Sequence, residues 1–584
     1  MRYPFMRELP IGITDFVEIR SKNYYYADKT RFLSKLARTT GGFFLTRPRG
    51  FGKTLLLDAL DCLLRGRREL FKNLWIDDSD YDWAPRPVVR LDMRRVIAND
   101  LTTMEEKLRV LLEEVAREAG VQLKPDDSTT PLGGLMTLLL ESLQNKEAAP
   151  EKKVAAKTKA AILIDNHEAP VISHLNDPAK AQLFGRSVGK FYSSLISNVD
   201  TVNLVLLTGV NRLNPDSIDH WLDYYFDLTL DNEYATVCGF NETDLKELIR
   251  DHTDKTIEAL IQDQILPPLS EVNELRQLVR DWYAGYSWDG ETWVYNPTSV
   301  LSFFQKAKIA PYWSASAWPS CPDLLGSIVR EDPNWLNDRI FVPESKTEIT
   351  DLTLIPPETL LFQNGYLTIK EIIDRPYETN KIRLEVPNVE VKAALAPLAP
   401  PLNLADEPFE ALKWAKAARD RLFRLNPKTV QEAFRLYLER FTDPSFTDRD
   451  FERFFKAALD LVGQKFEFYS NTAEGDLDLH FKGPEDSRFI VQLKVYDETK
   501  PPKSSDSTAA DSPAQDLSPA LSDSDLESER LEKALGSLAK TALNQITEKY
   551  AYKFVDAGHM VILVVLVLAR RTTVLAKFRC MFPQ

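Results

Sequence analysis

The chain has 584 residues, 44% of them hydrophobic and 27% charged. That is an ordinary balance for a globular protein, and the length is enough for three or four domains. The formal net charge is −14, but seven acidic residues and no basic one fall between Ser504 and Glu529. Whole-chain charge therefore neither selects nor excludes a nucleic-acid partner.

The four cysteines, Cys62, Cys238, Cys321 and Cys580, form no CxxC, and the six histidines form no HxxxH pair. Both facts argue against a disulfide scaffold and a structural zinc site. The opening MRYPFMRELP lacks the apolar core of a signal peptide, and the apolar run Met560–Ala569 is too short to span a bilayer and rich in valine. The expectation is a protein without membrane partners, intracellular in the cytoplasm or nucleus.

In chain order, Phe43–Thr46 reads as a strand, followed by a glycine-containing turn and a helix over Thr54–Arg65. Val88–Asp92, Ala161–Asp165 and Leu204–Thr208 read as further strands, with helices over Thr103–Glu118 and Ala179–Ser197 between them. Strands separated by helices imply a parallel sheet with crossover connections. From Asn241 to Lys308 the pattern is helical and aromatic-rich, and Thr353–Val386 reads as short strands and turns. Helices follow over Glu407–Leu461, then a strand-rich module after Phe466 with a long helix near Leu531–Tyr552. Two segments, 146–159 and 501–529, carry too few large apolar residues to offset their ordering entropy and read as disordered insertions. The aromatic cluster Trp282, Tyr283, Tyr286, Trp288 and Trp293 reads as core or domain interface rather than a base-stacking surface.

The run FLTRPRGFGKTLLLD carries the Gly-Lys-Thr ending of a P-loop. Gly52 permits a tight backbone turn, Lys53 can reach the β- and γ-phosphates, and Thr54 can place a hydroxyl on Mg²⁺. The following helix would point its positive end at the anion. Arg47 stands where the usual pattern has its first glycine. In AILIDNHEAP, Asp165 ends an apolar strand and is the candidate Mg²⁺ ligand. The next position, where a glutamate would activate water, is Asn166; Glu168 is nearby but out of step, and His167 reads as an ordinary loop residue. Thr208 and Asn211, at the end of the following strand, are candidate γ-phosphate sensors.

Together PIGITDFVEIRSKNYYYADKTRFLSKL, RPRGFGKTL, LIDNHEAPV, LLTGVNRL and DNEYATVCGF resemble the AAA-ATPase-like family. WYAGYSW, VYNPTSVLSFF, PYWSAS and LLFQNGYLTIK resemble the accessory region of such chains. The resemblance implies an ATP and Mg²⁺ site with Arg47, Arg49, Gly50, Gly52, Lys53, Thr54, Asp165 and Asn211 as nucleotide-binding residues. The family often reads Asp-Glu-Tyr-Asp where this chain has Asp165-Asn166-His167-Glu168, which bears on hydrolysis more than on binding.

Near the C-terminus, GDLDLHF is followed by RFIVQLKV. Asp478, then Gln492-x-Lys494 on the next strand, resembles a PD-(D/E)XK nuclease signature, and many members of the family end in such a domain, usually with Glu-Phe-Lys here. The resemblance implies Asp478 and Gln492 as ligands of Mg²⁺ or Mn²⁺, with Lys494 aiming the attacking water. It also suggests Glu467 or Glu474 as an extra carboxylate and Gln545 and Lys549 on a flanking helix. Read from the residues alone, the same stretch is an ordinary half-exposed strand.

The expected fold class is α/β: an N-terminal P-loop domain (1–240), a helical and β accessory region (241–400) and a restriction-endonuclease-like α/β domain (401–584). Two functions follow. One is an ATP-binding protein coupled to a metal-dependent nuclease acting on DNA or another nucleic acid. The other is a non-catalytic, ATP-bound switch or interaction protein in which Asn166 and Gln492 mark degraded sites. Oligomers are compatible with either.

Overall fold

The computed structural model describes residues 7–123, 132–147, 159–196, 200–213, 225–263, 265–266, 270–313, 340–373, 380–395, 431, 466–470, 477–482, 487–495, 534–544, 547, 561–569 and 573–581. The expected insertions at 146–159 and 501–529 and the expected helices over 407–461 lie almost wholly outside these residues, as do Glu474, Gln545 and Lys549. The chain divides into two compact units, Met1–Lys392 and Ala393–Gln584. The P-loop and accessory regions expected on either side of residue 240 both lie in the first unit.

The first unit opens with helices α1 (Phe16–Ser21) and α2 (Thr30–Arg38) and then strand β1 (Gly41–Thr46). There follow α3 (Lys53–Leu64), β2 (Val88–Asp92), α4 (Leu101–Glu118), α5 (Leu132–Glu147), β3 (Ala160–Asp165), α6 (Ala169–Ile172), α7 (Pro178–Ile196), β4 (Val202–Gly209) and the short β5 (Phe226–Asp227). The five strands form one parallel sheet in the order β2-β3-β4-β1-β5. Every residue of β3 (AAILID) is buried, as expected of a parallel strand covered on both faces. In β2, Arg90 and Asp92 are only partly covered. Helix starts are set locally: Asp100 accepts the Thr103 N–H at 2.8 Å to cap α4.

The rest of this unit holds α8 (Glu242–Gln262), α9 (Val272–Tyr283), α10 (Pro297–Lys306), β6 (Ile340–Pro343), α11 (Pro357–Gln363), β7 (Thr368–Ile373), β8 (Lys381–Glu385) and α12 (Val389–Leu395). Asn241 and Asp244 form a reciprocal capping box at the start of α8. Strands β6, β8 and β7 make a small antiparallel sheet. Trp282, Tyr283, Tyr286 and Trp288 are buried, whereas Trp293 is 37% exposed.

The second unit is a five-stranded sheet of β9 (Phe466–Ser470), β10 (Leu477–Lys482), β11 (Arg488–Val495), β12 (Val561–Ala569) and β13 (Thr573–Met581). Its order is β13-β12-β11-β10-β9; β11 and β12 run parallel and the other pairs antiparallel. A parallel pair needs a crossover, and α13 (residues 534–544) lies in the β11-to-β12 connection. Leu535, Ala539, Ala542 and Leu543 of α13 pack on Ile490, Leu563, Val565 and Val567. The i, i+2, i+4 spacing of the last three marks one face of β12.

Candidate functional site

In this sheet the strand before the glycine-containing loop, β1, is separated from β3 by β4. The carboxyl ends of these strands are where open α/β sheets form ligand crevices. Gly50 and Gly52 sit at φ +82° and +91°, in the left-handed region that favours glycine. At Gly50 a Cβ would also meet Thr298 Oγ1 at 2.9 Å, whereas at Gly52 nothing stands within 4 Å and conformation alone selects glycine.

Lys53, the first residue of α3, is buried and folded back on its own loop, its Nζ donating to the carbonyls of Arg47 at 2.8 Å and Pro48 at 2.9 Å. Burial pushes its pKa below the ordinary lysine value, opposed chiefly by Asp165. Thr54 Oγ1 donates to Asp165 Oδ2 at 2.7 Å. Asp165 Oδ1 accepts from Thr208 Oγ1 at 3.0 Å and from the Asn166 N–H at 3.0 Å. The structure thus brings Lys53, Thr54, Asp165 and Thr208 together at the ends of β1, β3 and β4.

Asn166 takes a left-handed backbone (φ +54°), which asparagine tolerates better than glutamate does. Its Nδ2 donates to Asp92 Oδ1 at 3.1 Å. Asp92 ends β2 in register with Asp165 at the end of β3. The Arg94 side chain grips Asp92 through Nε at 3.1 Å and Nη2 at 2.7 Å. Burial would raise the Asp92 pKa, but these bonds hold it below the ordinary carboxylate value.

Glu168 faces elsewhere. Its Oε1 accepts the N–H groups of Val210 at 2.8 Å and Asn211 at 3.4 Å, and its Oε2 lies 3.0 Å from His167 Nδ1. Burial pushes its pKa up, yet His167 and the Val210 N–H hold it below the ordinary value. His167 is buried, not an open loop residue. The pair ties the turn after β3 to the end of β4.

Two other expected residues are placed away from the loop's cavity. Arg47 is 1% exposed; its guanidinium donates to the carbonyls of Thr46 and Thr229 at 2.8 Å and Tyr234 at 3.1 Å. Burial lowers its pKa to about 10. Asn211 is buried, and its Nδ2 donates to Gln363 Oε1 at 3.0 Å.

The loop borders a cavity of about 470 Å³ lined by Arg49, Gly50, Gly52, Lys53 and Thr54, with Arg94 and Asn166 on the strand-end side. Its far wall is largely apolar and comes from Pro10–Thr14, Tyr25, Tyr26, Phe240, Pro297 and Leu301. The accessory region braces the loop. Thr298 Oγ1 donates to Gly50 O at 3.1 Å, Gly365 lies against Pro48, and Phe51 stands edge-on to Tyr286 and Trp288. The spacing within FLTRPRGFGKT does not mark these partners, which come from residues more than 200 positions further along the chain.

Sheet, loop and acidic strand end together define a P-loop NTPase type of α/β domain. Residues 10–219 match the AAA-ATPase-like family model, described as "Predicted AAA-ATPase". The chain is 31% identical over 392 residues to the "Uncharacterized protein in vnfD 5'region" of Azotobacter chroococcum mcd 1, covering 67% of this chain and 69% of that one. It belongs to the AAA-ATPase-like family. Among the described residues, no three or more His, Cys, Asp or Glu side chains are grouped to hold a metal ion. None of the described helices is long and apolar enough to cross a membrane.

In the second unit, Asp478 of β10 and Gln492 of β11 are cross-strand partners, and Lys494 pairs with Val567 of β12. Glu467 of β9 stands opposite His480. Gln492 is buried and β11 lies between β10 and β12, so this position is not on the exposed side of the half-exposed strand that the residues alone suggest.

Proposed function

We propose that the first unit binds ATP in the cavity over Gly52–Thr54, and that ATP turnover or occupancy is what the rest of the chain reads. The observation that carries this is the Thr54–Asp165 hydrogen bond of 2.7 Å beside the loop cavity. A hydroxyl and a carboxylate converge there, an all-oxygen pair suited to a hard cation that keeps waters and phosphate oxygens as its other ligands. Thr54 and Asp165 would hold Mg²⁺, which would neutralise phosphate charge. Lys53, bonded to two loop carbonyls, would exchange them for phosphate oxygens, a charge-assisted and stronger contact. Gly50 and Gly52 shape the loop, Arg49 adds positive charge at its rim, and the apolar wall has the character needed for a base. Arg47 and Asn211 act in this reading as supports of the loop and of the β4 end.

Calorimetric titration of the full chain with ATP and Mg²⁺ tests this. Affinity should fall about tenfold or more in Lys53→Ala, the loss of one charged contact. Equal affinity in that variant, or no binding by the wild type, would remove the assignment.

A second reading concerns the other unit: a metal-dependent PD-(D/E)XK-type nuclease acting on DNA. It is supported by the strand order, with three antiparallel strands and a helical crossover to a parallel fourth, and by the Asp478–Gln492 register pair. A carboxamide oxygen can ligate a hard cation without contributing charge, so metal affinity would be weak. Cleavage of single- and double-stranded DNA with Mg²⁺ or Mn²⁺, lost in Asp478→Ala and Lys494→Ala, is its test. Absence of cleavage in folded, ATP-binding protein leaves a nucleotide-dependent interaction protein.

A further inference from the structure

We propose that Asp92 supplies the carboxylate that aims the attacking water at the γ-phosphorus, in place of the acidic side chain that position 166 lacks. This rests on the ATP site proposed above and adds hydrolysis to it.

The observation is a carboxylate–carboxamide pair across two strand ends. Asp92 and Asp165 are the last residues of neighbouring parallel strands and are paired in register. Asn166, which lines the cavity beside the loop, donates its amide to Asp92 Oδ1 at 3.1 Å, bridging residues 74 apart. An amide cannot take up the proton that the water loses, and Glu168 is committed to the N–H groups of Val210 and Asn211 and to His167. Among the described carboxylates of this site, that leaves Asp165, held by Thr54 and Thr208, and Asp92.

The setting of Asp92 suits the task. Its side chain is 31% exposed, so water reaches it. The Arg94 fork and the Asn166 amide fix its orientation, and Arg94 itself lines the cavity. The left-handed backbone at Asn166 accounts for the exchange: a short amide fits there and turns toward β2.

In the step itself, the water oxygen forms a bond to the γ-phosphorus while the bond to the β,γ-bridging oxygen breaks. The electron pair of that bond leaves with ADP. One water hydrogen stays on the orthophosphate; the other, hydrogen-bonded to Asp92, passes through the carboxylate to solvent.

A merely structural alternative exists, because Asp92 Oδ1 also accepts the Arg94 N–H at 3.1 Å and caps the turn after β2. The experiment separates the two on the full chain with Mg²⁺ and ATP, measuring affinity by calorimetry, turnover by phosphate release, and the nucleotide recovered from the protein after incubation. Asp92→Asn should keep affinity and melting temperature while turnover falls about 10²-fold or more, and the recovered nucleotide should change from ADP to ATP. The exchanged pair Asp92→Asn/Asn166→Asp should regain a substantial part of that loss, which a capping role does not predict. Should Asp92→Asn fail to fold, Asp92→Glu keeps the charge but moves the carboxylate by one methylene, and its turnover should fall at unchanged affinity.

Turnover by Asp92→Asn or Asp92→Glu at the wild-type rate overturns the proposal. So does wild-type protein that binds ATP without hydrolysing it, which leaves the nucleotide site standing. Wild-type protein that does not bind ATP removes both.

Discussion

The guanidinium of Arg47 lies over the indole of Trp288, 4.1 Å from the ring centre, and joins the P-loop to the accessory region. Three backbone carbonyls complete its surroundings, so the arginine that replaces the loop's usual first glycine is a buried strut.

Arg47→Ala should therefore destabilise the first unit by about 3 kcal/mol or more, since it strands three buried carbonyls and a cation–π partner. ATP affinity measured well below the melting temperature should be nearly unchanged. Arg47→Lys should fall between, because an ammonium cannot fork across the same carbonyls. Thermal melting beside ATP titration checks this; a variant that melts normally and binds ATP poorly would place Arg47 on the phosphate instead.

Removing the metal should act through Asp165. Chelation of Mg²⁺ should lower wild-type ATP affinity by about tenfold or more, and Asp165→Asn should lower it similarly with little further response to chelator. Titration of a fluorescent ATP analogue with and without Mg²⁺ gives the comparison. An undiminished metal effect in Asp165→Asn would move the cation elsewhere.

Two glycines should respond to alanine for different reasons. At Gly209 an added Cβ would stand 2.0 Å from Glu168 Oε2 and 2.5 Å from His167 Nδ1, forcing apart the pair that ties β3 to β4, at about 3 kcal/mol. At Gly52 only the φ of +91° opposes the change, worth about 1–2 kcal/mol. Gly209→Ala should lower the melting temperature more, and Gly52→Ala should weaken ATP binding more. The reverse ranking would contradict the geometry.

Glu390 sets a pH dependence. It is fully buried in α12, accepting from Ser299 Oγ at 2.9 Å and the Trp313 N–H at 2.7 Å. Burial pushes its pKa up to about 8, so the folded protein keeps it protonated at pH values where the unfolded chain ionises it. Its contribution is fully present below about pH 4, the ordinary glutamate value, and is lost as pH rises toward 8. Glu390→Gln should melt like wild type near pH 4 and higher than wild type at pH 8, by at least about 2–4 °C. Differential scanning at the two pH values tests it; an equal offset at both would sink the assignment.

Much of the fold was legible because it is local. The apolar run Ala161–Asp165 marks β3 within one residue of its observed bounds, since a strand buried on both faces shows its length as an unbroken apolar stretch, and Val88–Asp92 matches β2 although Arg90 interrupts its apolar residues. Gly52-Lys53-Thr54 announced the loop, because the turn and the helix start are made by consecutive residues. The Asp478–Gln492 pairing was also within reach, the two strands being joined by a short connection.

What tertiary structure decided are the partners. The strand order β2-β3-β4-β1-β5 places Asp92 beside Asp165, and nothing in the spacing of residues 92 and 165 reveals it. The same holds for Arg47 on Trp288, Thr298 on Gly50 and Gln363 on Asn211. Periodicity reports how each segment is buried; which distant segment buries it depends on how all the elements pack together. The sequence by itself thus determined a Gly-Lys-Thr loop of P-loop type and an acidic strand end in a parallel sheet. Only the packed chain decided that Arg47 is buried against backbone carbonyls, that Glu168 faces away, and that the carboxylate reached by the Asn166 amide belongs to another strand.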